Sequence, residues 1–333
     1  MNLSCYNSRQ IKAEALRLGF SACGFAHADA VTPSTSEAFV RWLERGNNAG
    51  MEYMANYLER RLDPRLLMEG TQTVISVALN YYPTHQLSPE QYQFAWYAYG
   101  KDYHDVMKSK LKQLEAFIIS LEEENNAATA PSPADSPRDG VATRVFCDTA
   151  PVLERYWAWQ AGLGWQGKNT QLIIPHAGST YFLGEIFINR RVTDYDTPQQ
   201  SRCGTCHRCI DRCPTKALEA PYSLNARRCL SYLTIEHRDE IPASESRKMG
   251  NCVYGCDECQ RACPWLRFAT PTSTPEFQPS VEFMSMTPSG WDSLTEEEYR
   301  RLFKGSAVKR AKYSGLTRNI RAVGEERERK EQR

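Results

Sequence analysis

The chain has 333 residues, 41% hydrophobic and 24% charged, with a net charge of +1. That length suggests two domains and suffices for a substantial core, while near-neutrality excludes a global polyanion-binding surface and leaves room only for a local patch. No run of about 18 apolar residues exists to span a membrane, and "MNLSCYNSRQIKAEAL" has no basic start followed by an apolar stretch, so no signal peptide is read.

A cytoplasmic location follows as an expectation, and there thiols stay reduced. Twelve cysteines then argue for metal or redox chemistry rather than disulfides. In chain order, "SRQIKAEALRLGF" spaces Ile11, Ala15 and Leu18 for one helix face, with Gly19 as its stop. "TVISVALNYY" (73–82) is a β-rich run. "YHDVMKSKLKQLEAFIISLEEE" repeats Met107, Leu111, Leu114, Ile118 and Leu121 at helical spacing. The Ala/Pro/Ser/Asp composition of 125–140 predicts a flexible surface insertion. "RVFCDT" (144–149) predicts a strand, "PVLERYWAWQAGLG" a helix with Pro151 in its first turn, and "YFLGEIFI" (181–188) another strand. This alternation implies an α/β or α+β sheet domain. After the cysteines comes a Pro/Thr/Ser loop, then "TEEEYRRLFKGSAVKRAKYSGLTRNIRAVG", one or two helices. Residues 300–321 hold eight Lys or Arg and no acid, and the mixed-charge terminus is expected to fray.

Nine of the twelve cysteines lie between 203 and 263. "CGTCHRCIDRCP" has the bacterial ferredoxin spacing, in which three thiolates bind one cubane and the fourth crosses to the other. "CDECQRACP" repeats the ending. The crossing rule assigns Cys203, Cys206, Cys209 and Cys263 to one [4Fe–4S] cluster. Cys213, Cys256 and Cys259 go to a second, whose fourth ligand is Cys229 or Cys252. Structural zinc would use paired knuckles, with no third cysteine at the same spacing. Asp148 follows a strand and precedes a helix, so it or Thr149 reads either as a helix cap or as an acid at a pocket mouth. "GLGWQGKNT" is a glycine turn that backbone could use to approach a large ligand. His104, in "DYHDVM", begins a cobalt-ligand pattern, but Met107 stands where glycine is needed, so it reads as part of a polar network.

"ERRLDPRLLMEGTQTVISVALNYYP", "YAYGKDYHDVMKSKL", "DTAPVLERYWAWQAGLGWQGKNT", the cysteine pattern and "RRCLSYLTIEHRDEIP" together resemble the epoxyqueuosine reductases, over about residues 8 to 322. The resemblance implies an α+β protein. Residues 1–195 would form a nitroreductase-like cobalamin-binding domain, 196–270 a two-cluster ferredoxin-like domain, and 271–333 a basic helical segment. It implies that Asp148 is the proton donor and that Cys229 completes the second cluster. It further implies that Arg61, Tyr97, Asp148, Ser231, Cys256 and Asp257 face cobalamin, with no protein ligand on cobalt. An epoxide on the wobble base of tRNA would be reduced to an alkene. Electrons would come from an external flavodoxin- or ferredoxin-type donor, and the chain is expected to act as a monomer. Burial beside the corrin would raise the Asp148 pKa above its ordinary value. Lys309, Arg310 and Lys312 are the expected phosphate contacts. A reductive dehalogenase of small molecules and a non-enzymatic ferredoxin-like carrier are the alternatives.

Overall fold

The computed structural model describes residues 5–128 and 140–332. Its central sheet has four antiparallel strands: β1 (Ala22–His27), β2 (Thr73–Asn80), β3 (Thr143–Phe146) and β4 (Tyr181–Ile188), in the order β1-β2-β4-β3. β2 is buried at every position, which is why it reads as a continuous apolar run rather than an alternating one. Its Ile75, Val77 and Leu79 pack with Ile11 and Ala15 of α1 (Ser8–Arg17) and with the apolar stripe Met107, Leu111, Leu114 and Ile118 of α2 (Tyr103–Ala128). Val74 and Ala78 face the other way, onto Trp157 and Ala158 of α3 (Glu154–Gln160). Helices therefore cover both faces of the sheet.

Several boundaries differ from expectation. α2 runs to Ala128, so the expected 125–140 insertion starts inside a helix, and residues 129–139 lie outside the described residues. The strand expected over 144–149 ends at Phe146, and α3 starts only at Glu154. Asp148 has φ 55°, a left-handed conformation that neither continues a strand nor opens a right-handed helix. Hence neither Asp148 nor Thr149 caps α3, and Pro151 stays in an irregular turn. Strand β1, broken in pattern by Gly24, was not expected.

The cysteine-rich part contributes α4 (Arg208–Arg212), α5 (Leu230–Ile235) and α6 (Glu258–Arg261); α4 and α6 pack together. A capping box of Thr295 and Glu298 opens α7 (Glu296–Leu302). α8 (Lys312–Glu331) keeps the mixed-charge end helical instead of frayed, with Arg329 reaching Glu325 and Glu326 at one-turn spacing. Strand Cys252–Tyr254 pairs in parallel with Gln93–Phe94. Around that pairing Phe94, Tyr254, Phe283, Trp291, Phe303 and Leu316 belong to the same apolar cluster as the α1/α2 face of the sheet. The three expected parts thus share one core.

Gly24 shows how closely α3 approaches the sheet: a Cβ there would lie 1.9 Å from the Ala161 carbonyl oxygen. Backbone cannot yield as a side chain can, so Gly24→Ala should destabilise by about 1–3 kcal/mol or more. Gly140→Ala, which meets nothing within 4 Å, should stay within about 0.5 kcal/mol. Chemical denaturation of both variants checks this.

Candidate active site

β3 delivers Asp148 to the edge of a cavity of about 880 Å³. Three neighbours fix it. Its backbone N–H donates to Glu154 Oε1, from the first turn of α3. Its Oδ2 accepts from the Tyr103 hydroxyl at 2.5 Å and lies 3.3 Å from His104 Nε2. His104 Nδ1 is in turn 2.7 Å from Asp102 Oδ1. Asp102, Tyr103 and His104 are consecutive at the start of α2, so one helix end supplies all three side chains of this chain of contacts. Tyr103 is held flat between neighbours, stacked on Phe182 at 4.3 Å and on His104 at 4.1 Å.

The charges follow from these contacts. Burial disfavours a charged His104, but the Asp102 and Asp148 carboxylates outweigh it and raise its pKa to about 9. Burial likewise works against an ionised Asp148, yet hydrogen bonds from His104 and Tyr103 hold its carboxyl below its ordinary value. The expected rise rests on burial beside a corrin; from the protein side the Asp148 side chain, 56% exposed to the cavity, has near neighbours that are donors and pull the other way. Burial, and then the Asp148 charge, push the adjacent Glu154 up instead.

Arg61, Tyr97, Ser231, Cys256 and Asp257 line the same cavity as Asp148. They come from four distant stretches: the short helix Leu58–Leu62, the turn after Phe94, α5, and the approach to α6. Arg61 is 7% exposed; Nη2 donates to the Tyr53 carbonyl, but Nε is buried without a partner. An unpaired buried guanidinium nitrogen on a cavity wall calls for a polar ligand group. Asp257 Oδ2 accepts from the Trp96 N–H at 2.8 Å. Tyr97, Tyr103, Phe182 and Trp159 give much of the wall an aromatic surface. Such a wall with a few inward polar groups fits a large ring with amide substituents, as cobalamin has. No lining residue among those described is a histidine; His104 stands behind Asp148.

The cysteines gather in two groups. Cys263 lies within electrostatic reach of Cys203, Cys206 and Cys209. Cys259 lies within the same reach of Cys229 and Cys213, and also of Cys209 from the first group; Cys256 lies within reach of Cys229. Cys252 also lies against Cys256 and is the main cause of that thiol's raised pKa, so it is a close neighbour of the second group and not remote from it. Among the described residues no three His, Cys, Asp or Glu side chains converge tightly enough for a single metal ion. A cubane binds each of its four thiolates through a different iron. Cys256 and Cys259 also line the cavity, which puts the second group against it.

The basic C-terminal stretch is less free than its sequence suggests. Arg300, Arg301, Arg310 and Arg321 pair with Glu296, Glu282, Glu236 and Glu240. Arg318 is buried, donating to the carbonyls of Leu233, His237 and Asp239. Lys304, Lys309 and Lys312 remain exposed. Arg310 also lies over the ring of Tyr53, on the cavity wall.

Comparison with known proteins agrees with this geometry. The profile of the "4Fe-4S double cluster binding domain" family matches residues 202–266, and that of "Epoxyqueuosine reductase QueG, DUF1730" matches residues 61–149. The epoxyqueuosine reductase of Cellulophaga algicola is 43% identical over 320 residues, covering 96% of this chain and 99% of that protein. The chain belongs to the epoxyqueuosine reductase family. The family member of Pseudomonas aeruginosa is 38% identical over 324 residues, 95% of this chain and 84% of its own. A crystal structure of an epoxyqueuosine reductase with an epoxyqueuosine-modified tRNA-Tyr stem loop superposes with a TM-score of 0.82 at 28% identity, covering 95% of this chain and 80% of that one. Another, from Bacillus subtilis, has its aspartate catalytic loop swung out of the active site; its TM-score is 0.81 at 27% identity. Full-length likeness to reductases leaves no place for a mere ferredoxin-like carrier. The chain is an oxidoreductase with a double [4Fe–4S] domain, and among the described residues no helix is long and apolar enough to cross a membrane.

Sequence reasoning missed Tyr103 and Glu154 as partners of Asp148. The signal for Tyr103 was present, since it adjoins the conspicuous His104. That for Glu154 was hidden by the misplaced start of α3. For the second cluster, Cys229 lies within electrostatic reach of Cys213, Cys256 and Cys259, while Cys252 lies against Cys256. Cys229→Ala should therefore lose about half of the iron of two [4Fe–4S] clusters, and Cys252→Ala should retain it. Iron and sulfide analysis of anaerobically prepared variants tests this; the reverse pattern would exchange the two residues.

Proposed function

We propose that this chain reduces epoxyqueuosine to queuosine in a tRNA anticodon, with cobalamin in the 880 Å³ cavity. The observation that supports the reading is a cavity with Asp148, hydrogen-bonded to Tyr103 and His104, on one wall and the Cys256 and Cys259 thiols on another. The reaction takes two electrons and two protons, breaks both C–O bonds of the epoxide, leaves a carbon–carbon double bond and releases water. Cobalamin, when bound, supplies a strongly reducing cobalt centre able to deliver electrons to carbon. Arg61, Tyr97, Ser231, Cys256 and Asp257 would hold it. Cys203, Cys206, Cys209 and Cys263 would bind one cluster. Cys213, Cys229, Cys256 and Cys259 would bind the other, the one next to the cavity, and an external one-electron donor would supply both.

Protonation of the departing oxygen falls to Asp148. Its carboxylate rests ionised, so it does not store the proton; His104, charged at neutral pH, does. One proton moves from His104 Nε2 to Asp148 Oδ2 and on to the epoxide oxygen; the second, which completes the water, comes from solvent, as does the proton that recharges His104. Asp102 keeps the imidazole oriented and protonated and touches no substrate, so it is a positioning residue. The Tyr103 hydroxyl steadies Oδ2, and Glu154 keeps the left-handed turn closed. Lys309 and Lys312 are the phosphate contacts, while Arg310 belongs to the mouth of the cavity.

Turnover of epoxyqueuosine-containing tRNA by reconstituted protein, followed against pH, tests the relay. His104 is protonated below about pH 9, so activity should fall as pH rises through that value. The imidazole faces Asp102, Asp148 and Tyr103, with Glu154, Lys108 and Arg155 in the field of the relay. Asp102→Asn removes a carboxylate that raises the His104 pKa, so the alkaline limb should move to lower pH. A limb that does not move would remove His104 from the proton path.

A further inference from the structure

The described residues include seven large hydrophobic side chains that are exposed, and three of them line the cavity: Tyr53, Tyr57 and Tyr222, at 45%, 66% and 46% exposure. Scattered single exposures are ordinary; three aromatic rings at one opening are a patch. Two of the three are also strained. Tyr57 has φ 55°, ψ 41°, and Tyr222 has φ 65°. Bulky residues rarely adopt this left-handed conformation, and it persists only where the surroundings enforce it.

The enforcement is visible. The Tyr57 carbonyl accepts from Arg61 N at 2.9 Å as the short helix Leu58–Leu62 begins. Tyr222 N donates to the Lys168 carbonyl at 3.0 Å, within the hairpin between strands Leu218–Ala220 and Ser223–Leu224. The rings are thus presented by fixed backbone from two remote parts of the chain, yet neither fills a core. Arg60 sits over the Tyr57 ring at 5.6 Å, which adds a cation beside an open aromatic face.

A nucleotide cannot enter this cavity from a stacked loop without leaving its neighbours. Extraction breaks the stacking on both sides of it, and the exposed neighbours need new flat surfaces. We propose that Tyr57 and Tyr222 provide those surfaces, each stacking a loop base that flanks the reacting nucleotide. This rests on the reading that the substrate is an anticodon-loop nucleotide. It assigns base contacts to the two tyrosines and phosphate contacts to Lys309 and Lys312.

The test measures binding of an anticodon stem-loop RNA to the cluster-loaded protein without cobalamin, by fluorescence anisotropy across a salt series. Tyr57→Ala and Tyr222→Ala should each weaken binding by about tenfold. Their log–log salt slope should match wild type, because a lost stack releases no counterion. Tyr57→Phe and Tyr222→Phe should bind like wild type. Alanine is chosen over glycine because it keeps the left-handed position strained, so the loop is not loosened as well. Cluster absorbance checks folding, and cobalamin uptake, read from its visible spectrum, should be unchanged. Wild-type affinity in the alanine variants would overturn the proposal. So would a loss of cobalamin uptake in place of RNA affinity, which would make the rings cofactor contacts. If the wild-type protein itself bound no stem-loop, the anticodon reading would fall first and this one with it.

Discussion

The site depends on a residue that neither strand nor helix will accept. Asp148 sits in a left-handed turn, with its N–H given to Glu154 and its carboxylate to Tyr103 and His104. The backbone contact fixes where the carboxylate points, and the side-chain contacts fix its charge. Without Glu154 the turn loses the bond that closes it against α3. Without His104 and Tyr103 the carboxyl would lose the hydrogen bonds that oppose its burial. In the proposed mechanism acid and proton store are therefore different residues, a division that pKa tuning by environment makes possible.

The second requirement is that metal and proton chemistry meet in one space. The parallel pairing of Cys252–Tyr254 with Gln93–Phe94 meets it. It anchors the chain immediately before Cys256 and Asp257 beside the turn that carries Tyr97, so cluster thiols and aromatic wall share one cavity. The aromatic packing of the C-terminal segment around Phe94 and Tyr254 supports that junction from behind. The basic C-terminal stretch consequently has two tasks. Arg318 ties α8 to α5 and the segment after it, while Lys304, Lys309 and Lys312 stay exposed, as the proposed phosphate contacts require.

Much of this architecture is legible in the amino-acid sequence. β2, β4 and α2 are long and strongly patterned, and the proline-terminated cysteine runs have a spacing with few other uses. The parts that local pattern misplaces share a physical cause: they are decided by contacts that the pattern does not show. α3 starts later than its pattern suggests: Asp148 stands in a left-handed turn whose N–H is taken by Glu154, and the helix begins only at that residue. Hydrogen bonds from Tyr103 and His104, more than forty positions away, draw the Asp148 carboxyl below its ordinary value against burial, a pull no local pattern reveals. The basic stretch loses most of its arginines to glutamates outside it. Tyr57 and Tyr222 carry no motif; only their exposure and backbone conformation distinguish them.

The central claim is that Asp148 hands a proton to the epoxide oxygen, and Asp148→Asn tests it most directly. Asparagine tolerates the left-handed turn and keeps the N–H to Glu154, so the fold and the cavity should persist. The measurement is a single turnover on epoxyqueuosine-containing tRNA, with cobalamin binding and its reduction through the clusters recorded on the same sample. Both of those should match wild type, while queuosine formation falls about 10²-fold or more. Near-normal queuosine formation by the Asn variant, with normal cofactor loading, would contradict the account and pass the proton to water or another side chain.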